Sequence, residues 1–318
     1  MKRKNIAWYL SLSLLFFVYA CGEGGQKADK AEDQLESMEK DQKEDKAKED
    51  QEEDKDKVSL TDDEVSDIIN FIPSPIEASA LLKESGAEFD ESFLHDIDAA
   101  SSYVSNYKKA LNLGVYGANL GYINIYNEKV MSINYLNTVR EIAEDLKVGQ
   151  FFDFKTIQRL SKYSEDTDSL LYITADGFDR MNNYLTENDR GDVSVMVIIG
   201  GWVESLYLTT RVAQQTNHEA VIERIGEQKL TLEELFLLIE NFEGAHGFSE
   251  IYGEMIPLRA AYSNIEIETV DSEDGESSEG DGGTLMVSSG SESKVNITKE
   301  DVERIAEVVN DIRAYIID

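Results

Sequence analysis

Residues 193–208 read Val-Ser-Val-Met-Val-Ile-Ile-Gly-Gly-Trp-Val-Glu-Ser-Leu-Tyr-Leu, and the stretch is apolar on nearly every side when it is drawn as a helix. A helix that is hydrophobic all round lies either in a membrane or in the core of a larger fold. Because Glu204 and Arg211 place charges in a 20-residue window over this region, a membrane span is not expected. The stretch therefore predicts a central helix, near 193–214, that is buried on most faces.

Four residues of this helix form a candidate ligand-binding cluster: Trp202, Glu204, Tyr207 and Arg211. Glu204 and Arg211 are seven positions apart and share a helix face, with Tyr207 adjacent to both. A buried carboxylate must find a partner or take up a proton, and Arg140 is one candidate partner. We interpret the cluster as a satisfied structural network, with a ligand-facing site and a catalytic carboxylate as the alternatives. No residue is predicted to be catalytic.

A stripe of small residues indicates what packs against the central helix. Its members are four, three and four positions apart and share one helix face: Ala110, Gly114, Gly117 and Gly121. A glycine in a helix interior costs about 0.5–1 kcal/mol relative to alanine, so another backbone or a ligand is expected to come close. Helix packing, a ligand groove and a helix break are the three interpretations. The simplest arrangement packs the stripe against Gly200-Gly201, with Glu204 nearby and paired to a buried cation.

Helix-start signals recur along the chain. Thr61-Asp-Asp-Glu64 and Ser74-Pro-Ile-Glu77 are capping boxes, and Phe152-Asp153 followed by Ile157 has the pattern of a staple and cap. Thr298 opens a last helix whose apolar positions predict docking on a folded domain: Val302, Ile305, Ala306, Val309, Ile312 and Ile316. Helices are predicted near 61–70, 75–84, 91–113, 115–147, 154–163, 168–188, 193–214, 218–243, 248–267 and 298–317.

These patterns predict an all-α fold, with one multi-helix, bundle-like domain over residues 58–318. The domain is interrupted at 271–293 by a segment rich in Ser, Gly, Asp and Glu, which predicts a disordered acidic loop. The Asp-Ser-Glu-Asp-Gly run at 271–275 leaves a weak calcium site as the alternative, although the spacing of an EF-hand is not met.

The amino terminus has the pattern of an export signal. Residues 2–4 are Lys-Arg-Lys, and residues 6–20 are apolar apart from two serines. This stretch is shorter than the roughly 20 residues of a membrane span, and the small residue Ala20 precedes Cys21. Together these features predict a secretory signal peptide over residues 1–20.

The junction Val-Tyr-Ala-Cys at 18–21, followed by Gly22, resembles the lipobox of bacterial lipoproteins. The resemblance implies cleavage before Cys21 and acylation of its sulfur and amino group, palmitate being an expected chain. An ordinary signal with an incidental cysteine is the alternative. Several acyl chains anchor a protein stably, since each buried methylene contributes about 0.8 kcal/mol. Gly22 stands where aspartate would resemble an inner-membrane retention signal. In a cell with two membranes this favours the outer membrane, on its periplasmic or surface face.

Residues 21–57 are expected to form a lipidated acidic tether between this anchor and the folded domain. Residues 22–57 contain 15 acidic and 8 basic residues, with Leu35 and Met38 as the only large apolar side chains. Such a segment cannot bury enough apolar area to offset the entropy of ordering it.

Charge and residue types exclude several classes of function. The 318-residue chain has 30 basic and 64 acidic residues, a formal net charge of −34, and such a surface repels nucleic acid. With one cysteine and three histidines, no metal site is predicted; His218-Glu219 lacks the second histidine of a zinc helix, and His95 and His246 have no ligand at metal-site spacing. No cofactor is expected apart from the covalent lipid at Cys21.

Two further runs resemble a family of helical bacterial envelope lipoproteins that has no assigned activity. They are Gly-Gln-Phe-Phe-Asp-Phe at 149–154 and Gly-Gly-Trp-Val-Glu-Ser-Leu-Tyr at 200–207. The resemblance covers roughly residues 95–245 and carries no catalytic motif. We therefore expect a protein that is held at the membrane by its lipid anchor and binds an envelope protein or a small ligand without catalysis. An envelope scaffold and a carboxylate-dependent enzyme are the alternatives.

Overall fold

The chain folds as an all-α, multi-helix domain within the residues that this computed structural model describes, which are 60–72, 79–163, 167–270 and 292–318. The predicted fold class is thereby confirmed. The helices are α1 (Asp62–Phe71), α2 (Ser79–Glu84), α3 (Asn106–Ile125), α4 (Lys129–Asp145), α5 (Phe154–Tyr163), α6 (Thr167–Glu187), α7 (Gly191–Thr216), α8 (Glu219–Asn241), α9 (Phe248–Ala261) and α10 (Lys299–Ile317). Short 3-10 turns cover Glu91–Phe93, Ile97–Ser102 and Gly149–Phe151, and two strands are β1 (Glu266–Val270) and β2 (Glu292–Asn296).

Several predictions lie outside the described residues and stay predictions. They concern the signal peptide at 1–20, Cys21, the tether at 21–57, the capping box at 74–77 and the acidic segment from 271 to 291. The compact unit to which the described helices belong begins at Val58.

Three of the predicted helix starts are confirmed by their hydrogen bonds. Thr61 and Glu64 cap α1 reciprocally, and Thr298 and Asp301 do the same for α10. The carboxylate of Asp153 accepts a hydrogen bond from the backbone N–H of Thr156 at 3.1 Å and so caps α5. Each cap satisfies N–H groups that have no partner inside the helix.

The predicted helices 91–113 and 115–147 are wrong in their bounds. The chain over 91–102 forms two 3-10 turns, and α3 starts only after Ser105, whose hydroxyl accepts a hydrogen bond from the N–H of Lys108. The expected break at Gly114 is absent, because α3 runs without interruption to Ile125.

A left-handed residue ends α3 and separates it from α4. Asn127 has φ 60°, and its N–H donates to Asn124 while that of Glu128 donates to Ile123. This is the Schellman arrangement, in which glycine is common and asparagine is accepted. The asparagine at 127 is therefore the signal that places the boundary.

The small-residue stripe packs against the central helix, as its spacing predicts. A Cβ at Gly200 of α7 would overlap the carbonyl oxygen of Leu111, and one at Gly114 of α3 would overlap that of Val197. The two helices therefore approach to backbone contact. Gly117 differs, since a Cβ there would meet the ring of Phe178 on α6. The stripe is thus shared between two neighbouring helices.

The central helix α7 is enclosed by its neighbours. It packs against α3, α6, α8 and α10. By length and composition it could cross a membrane, but 94% of its apolar window is buried inside the domain. This burial identifies it as the core helix that its sequence predicts.

The last helix docks through the predicted stripe, and a small hairpin precedes it. All six apolar positions predicted for α10 are buried. β1 and β2 pair antiparallel with Ile267 opposite Val295, and the side chain of Val295 lies over Gly226 of α8. The helix predicted at 248–267 overruns, because α9 ends at Ala261, and the segment expected to be a loop to 293 includes the first two residues of β2.

We predict that Gly200→Ala destabilises the domain by about 1–3 kcal/mol or more, because its methyl group forces α3 and α7 apart. Gly253→Ala is the matched control, since Gly253 also lies within a helix but a Cβ there meets nothing within 4 Å. The control should stabilise the fold by about 0.5–1 kcal/mol through helix propensity. Denaturant unfolding measures both values, and equal shifts for the two variants would contradict the close contact.

Candidate functional site

Glu204 lies at the centre of a buried polar cluster. It is the only acidic residue in the buried part of the described chain, and its side chain is 0% exposed. Its carboxylate accepts hydrogen bonds from Arg313 Nε at 2.5 Å, Arg313 Nη2 at 3.0 Å and Asn119 Nδ2 at 2.5 Å. The structural network predicted around Glu204 is therefore present.

The cation is Arg313 of α10, and the suggestion of Arg140 is wrong. Arg140 lies 4.0 Å from Glu144, one turn along its own helix. The side chain of Arg313 is 12% exposed and also donates to the carbonyl of Phe93 at 3.3 Å. Burial alone would lower the pKa of Arg313, but the adjacent Glu204 carboxylate more than offsets it and the pKa is raised. Arg313 is therefore a fixed positive charge.

The two-pronged contact between Arg313 and Glu204 is the geometry in which a guanidinium binds a carboxylate most strongly. Removing both charges from water is costly, so such a pair contributes little net stability compared with a well-packed apolar pair. Removing one partner is different, because it leaves a buried charge without compensation. The pair therefore makes correct docking of α10 a strong requirement of the fold.

The four residues of the predicted ligand-binding cluster do not all come together. The guanidiniums of Arg211 and Arg313 lie 4.9 Å and 4.2 Å from the ring centre of Tyr207. Arg211 itself donates to Asn310 at 3.1 Å on α10. Tyr207 thus contacts both the half-buried Arg211 and the buried ion pair.

Trp202 points away from this cluster. Two positions along a helix correspond to a rotation of about 200°, so Trp202 and Glu204 face nearly opposite sides of α7. The indole N–H of Trp202 donates to Gln228 of α8 at 2.8 Å. The structure therefore places Trp202 in the contact between α7 and α8.

A second arm of the network runs from Asn119 to His95. The side-chain oxygen of Asn119 accepts a hydrogen bond from the N–H of His95 at 2.8 Å, and the Tyr135 hydroxyl donates to the His95 carbonyl at 2.6 Å. The ring nitrogen Nε2 of His95 lies 2.6 Å from the hydroxyl of Tyr103. The ring also stacks on Tyr116 with centroids 5.1 Å apart. The segment before α3 is thereby fixed against the core.

Burial shifts the pKa values of these groups strongly. Burial and the positive charge of Arg313 lower the pKa of His95 to about 4, while Asp96 acts in the opposite direction. Burial raises the pKa of the Tyr103 hydroxyl to about 12. Histidine and tyrosine are therefore both neutral near pH 7, and His95 is held in the form that needs no counter-charge.

Side chains from α3 and the segment before it cap the end of α10. Lys108 Nζ donates to the carbonyl of Tyr315 at 2.5 Å, Asn112 Nδ2 to that of Ile316 at 3.0 Å and the Tyr103 hydroxyl to that of Ile317 at 3.1 Å. The last carbonyls of a helix have no partner within the helix and attract positive charge. These three contacts hold the end of α10 in place.

Sequence reasoning missed Arg313, Asn119 and His95 as members of this cluster. Arg313 lies one position from the buried Ile312 on the predicted last helix, but this position alone does not distinguish it from the other arginines of the chain. Asn119 follows the glycine stripe in the middle of an otherwise apolar run. An amide there predicts a buried hydrogen-bond partner. His95 carries no comparable local signal, since its role depends on contacts distant in sequence.

A shallow, open depression lies between α4 and α5. Its lining residues combine an apolar floor with cationic and amide side chains: Leu136, Asn137, Arg140, Phe154, Lys155 and Gln158. Arg140 therefore lines this depression and is not the partner of Glu204. In the described residues, no group of three or more His, Cys, Asp and Glu side chains is arranged to hold a metal ion.

A comparison of the chain with protein-family models, curated proteins and solved structures finds no match. The resemblances to bacterial lipoproteins therefore stay predictions from the sequence.

We predict that Glu204→Ala destabilises the domain by about 3–5 kcal/mol, because it leaves Arg313 buried without its partner. Glu204→Leu should cost less, since the leucine fills the volume. The pair of substitutions Glu204→Leu and Arg313→Leu should cost least, because no charge remains to be compensated.

Denaturant unfolding of the single and double variants measures the coupling. Asp176→Ala is the control, since it breaks the exposed pair with Arg180 and should cost at most about 1 kcal/mol. Additive effects of the two leucine substitutions would contradict the proposed coupling.

We predict that His95 makes stability depend on pH between about 6.5 and about 4. Its pKa is about 4 in the fold and near 6.5 in an unfolded chain. In this window the unfolded chain binds a proton that the fold does not, so stability falls as pH is lowered, by about 3 kcal/mol in total. Above pH 7 the contribution is constant.

Unfolding free energies of the wild type and His95→Gln, measured from pH 7.5 to pH 4, check this expectation. The difference between the two curves isolates His95 from the carboxylates that titrate in the same range. His218→Gln is the control because His218 is exposed. Parallel curves for wild type and His95→Gln would show that His95 is not the source.

Proposed function

We propose that this chain is a lipid-anchored protein of the bacterial cell envelope, attached through Cys21, whose helical domain is a non-catalytic binding module. The anchor is supported by the pattern of residues 1–22, which combines a basic start, a short apolar stretch and a small residue before the single cysteine. The outer membrane is the proposed location because Gly22 follows the cysteine.

One observation carries the non-catalytic part of the proposal. Glu204, the residue on which a carboxylate-dependent enzyme would have rested, is 0% exposed and already accepts three hydrogen bonds. A general acid or base must come within hydrogen-bond reach of its substrate. The enclosed carboxylate of Glu204 lacks that access, and its partners fit a structural role.

The binding part of the proposal is supported by the exposed side of the domain. The depression between α4 and α5 presents cations, amides and apolar surface together, which is the combination found in ligand sites. A domain that only held other proteins would not require such a feature. Binding is therefore proposed for the surface of the domain and a structural role for its polar core.

We predict that Cys21→Ser moves the protein out of the membrane fraction or leaves it as uncleaved precursor. Without the thiol there is no site for the acyl chains, and each lost methylene removes about 0.8 kcal/mol of anchoring free energy. Fractionation and intact mass of the wild type and the variant measure the effect. Processing and membrane fractionation identical to the wild type would overturn the lipid anchor.

The binding module is tested by native mass spectrometry of the full-length protein purified from its own envelope. A co-purifying small molecule or protein in stoichiometric amount is expected. If the wild-type protein, expressed from its own promoter, carries neither a small molecule nor a protein, the scaffold alternative is favoured.

A further inference from the structure

We propose that the depression between α4 and α5 binds a small amphiphile whose oxyanion group lies on Arg140 and Lys155. The inference rests on the proposed function, because it names the site and the ligand class of the binding module. An oxyanion here means a phosphate ester joined to a short apolar portion.

The first support is that Arg140 is available to a ligand and that Lys155 is exposed beside it. The only carboxylate within 4.0 Å of Arg140 in the described part of the chain is Glu144, and that distance is 4.0 Å. By contrast, Lys109 and Arg259 hold their carboxylate partners at 2.5 Å. Arg140 thus keeps most of its donors for an oxyanion such as phosphate, which guanidinium binds through two hydrogen bonds.

The second support is the local charge. The chain has a net charge of −34, yet residues 140–163, which include both cations of the depression, contain five cations and four acids. The carboxylate of Asp153 is engaged, since hydrogen bonds from Thr156 lower its pKa. Lys155 and Arg159 are one turn apart on α5 and add to the same positive field. An anion is therefore repelled less by this stretch than the net charge of the whole chain would suggest.

The third support is the shape and chemistry of the floor. Leu136 is buried, while Phe154 is partly exposed and stacks on the buried Phe152 with ring centroids 5.5 Å apart. Two amides, Asn137 and Gln158, complete the rim. The ring of Phe154, which packs on Phe152, gives an apolar surface beside the cations. A ligand that joins an anionic head to a few methylene groups matches both parts.

Isothermal titration of the full-length protein, in neutral detergent, with hexyl phosphate tests the site. Saturable binding is expected, and the double substitution Arg140→Gln and Lys155→Gln should weaken it by at least about tenfold, as two charge-assisted contacts are lost. Inorganic phosphate should bind more weakly than hexyl phosphate, because it leaves the apolar floor uncovered.

Arg224→Gln is the matched control. Arg224 is 50% exposed and pairs with Glu227 on its own helix, much as Arg140 is 42% exposed and faces Glu144. This variant removes one charge, as the single substitution Arg140→Gln does, and any partition of the ligand into detergent is unchanged. Its affinity for hexyl phosphate should equal that of the wild type.

A second titration, with dihexanoyl phosphatidylglycerol, distinguishes the source of the oxyanion. Tighter binding of this lipid than of hexyl phosphate would identify a lipid headgroup, and the reverse order would identify a free phosphate ester. Both results support the site, provided that the double substitution removes the binding.

The inference is overturned if neither compound binds saturably or if Arg224→Gln weakens binding as much as the double substitution. The proposed function fails separately. If the envelope-purified protein carries a ligand that the double substitution does not remove, the binding module stands and this site is wrong.

Discussion

The burial of one carboxylate constrains the whole domain. Glu204 sits on the helix with the most apolar surroundings, and a charge there is tolerated only with a partner. That partner, Arg313, comes from a helix 109 positions later in the chain. The central helix therefore leaves an uncompensated charge until the last helix has docked. This links the end of the described chain to its core more specifically than apolar contact does.

Helix α3 supplies most of the contacts described here that position α7 and α10. Its small residue Gly114 admits the backbone of α7, and Asn119 on the same helix completes the hydrogen bonding of Glu204. At its start, Lys108 and Asn112 bind the last carbonyls of α10. The last helix is thus held both at Arg313 and at its end. A shift of α10 along its axis would break both sets of contacts together.

The elements that the sequence predicts are those with local causes. The capping boxes at Thr61 and Thr298, the apolar stripe of α10 and the burial of α7 all follow from residues within a turn or two of each other. The boundary at Asn127 was missed because asparagine accepts a left-handed conformation less commonly than glycine. The identity of the cation beside Glu204 could not be predicted, since several arginines satisfy the charge and only the fold decides which one reaches it. The alternation in Ile-Glu-Ile-Glu-Thr-Val at 265–270 was the local signal for β1.

The polar groups of the core make their hydrogen bonds with one another, so the proposed ligand site lies at the surface. The acceptors and donors around Glu204 are used to fix one helix packing, and an amide or guanidinium in that role is no longer free to bind a ligand. Arg140 is in the opposite situation, with a long contact to Glu144 and an open depression beside it. In a chain of net charge −34, exposed cations reduce the repulsion among the acidic groups wherever they lie on the surface. That general effect does not require an apolar surface beside the cations, whereas the proposed binding of an amphiphilic anion does.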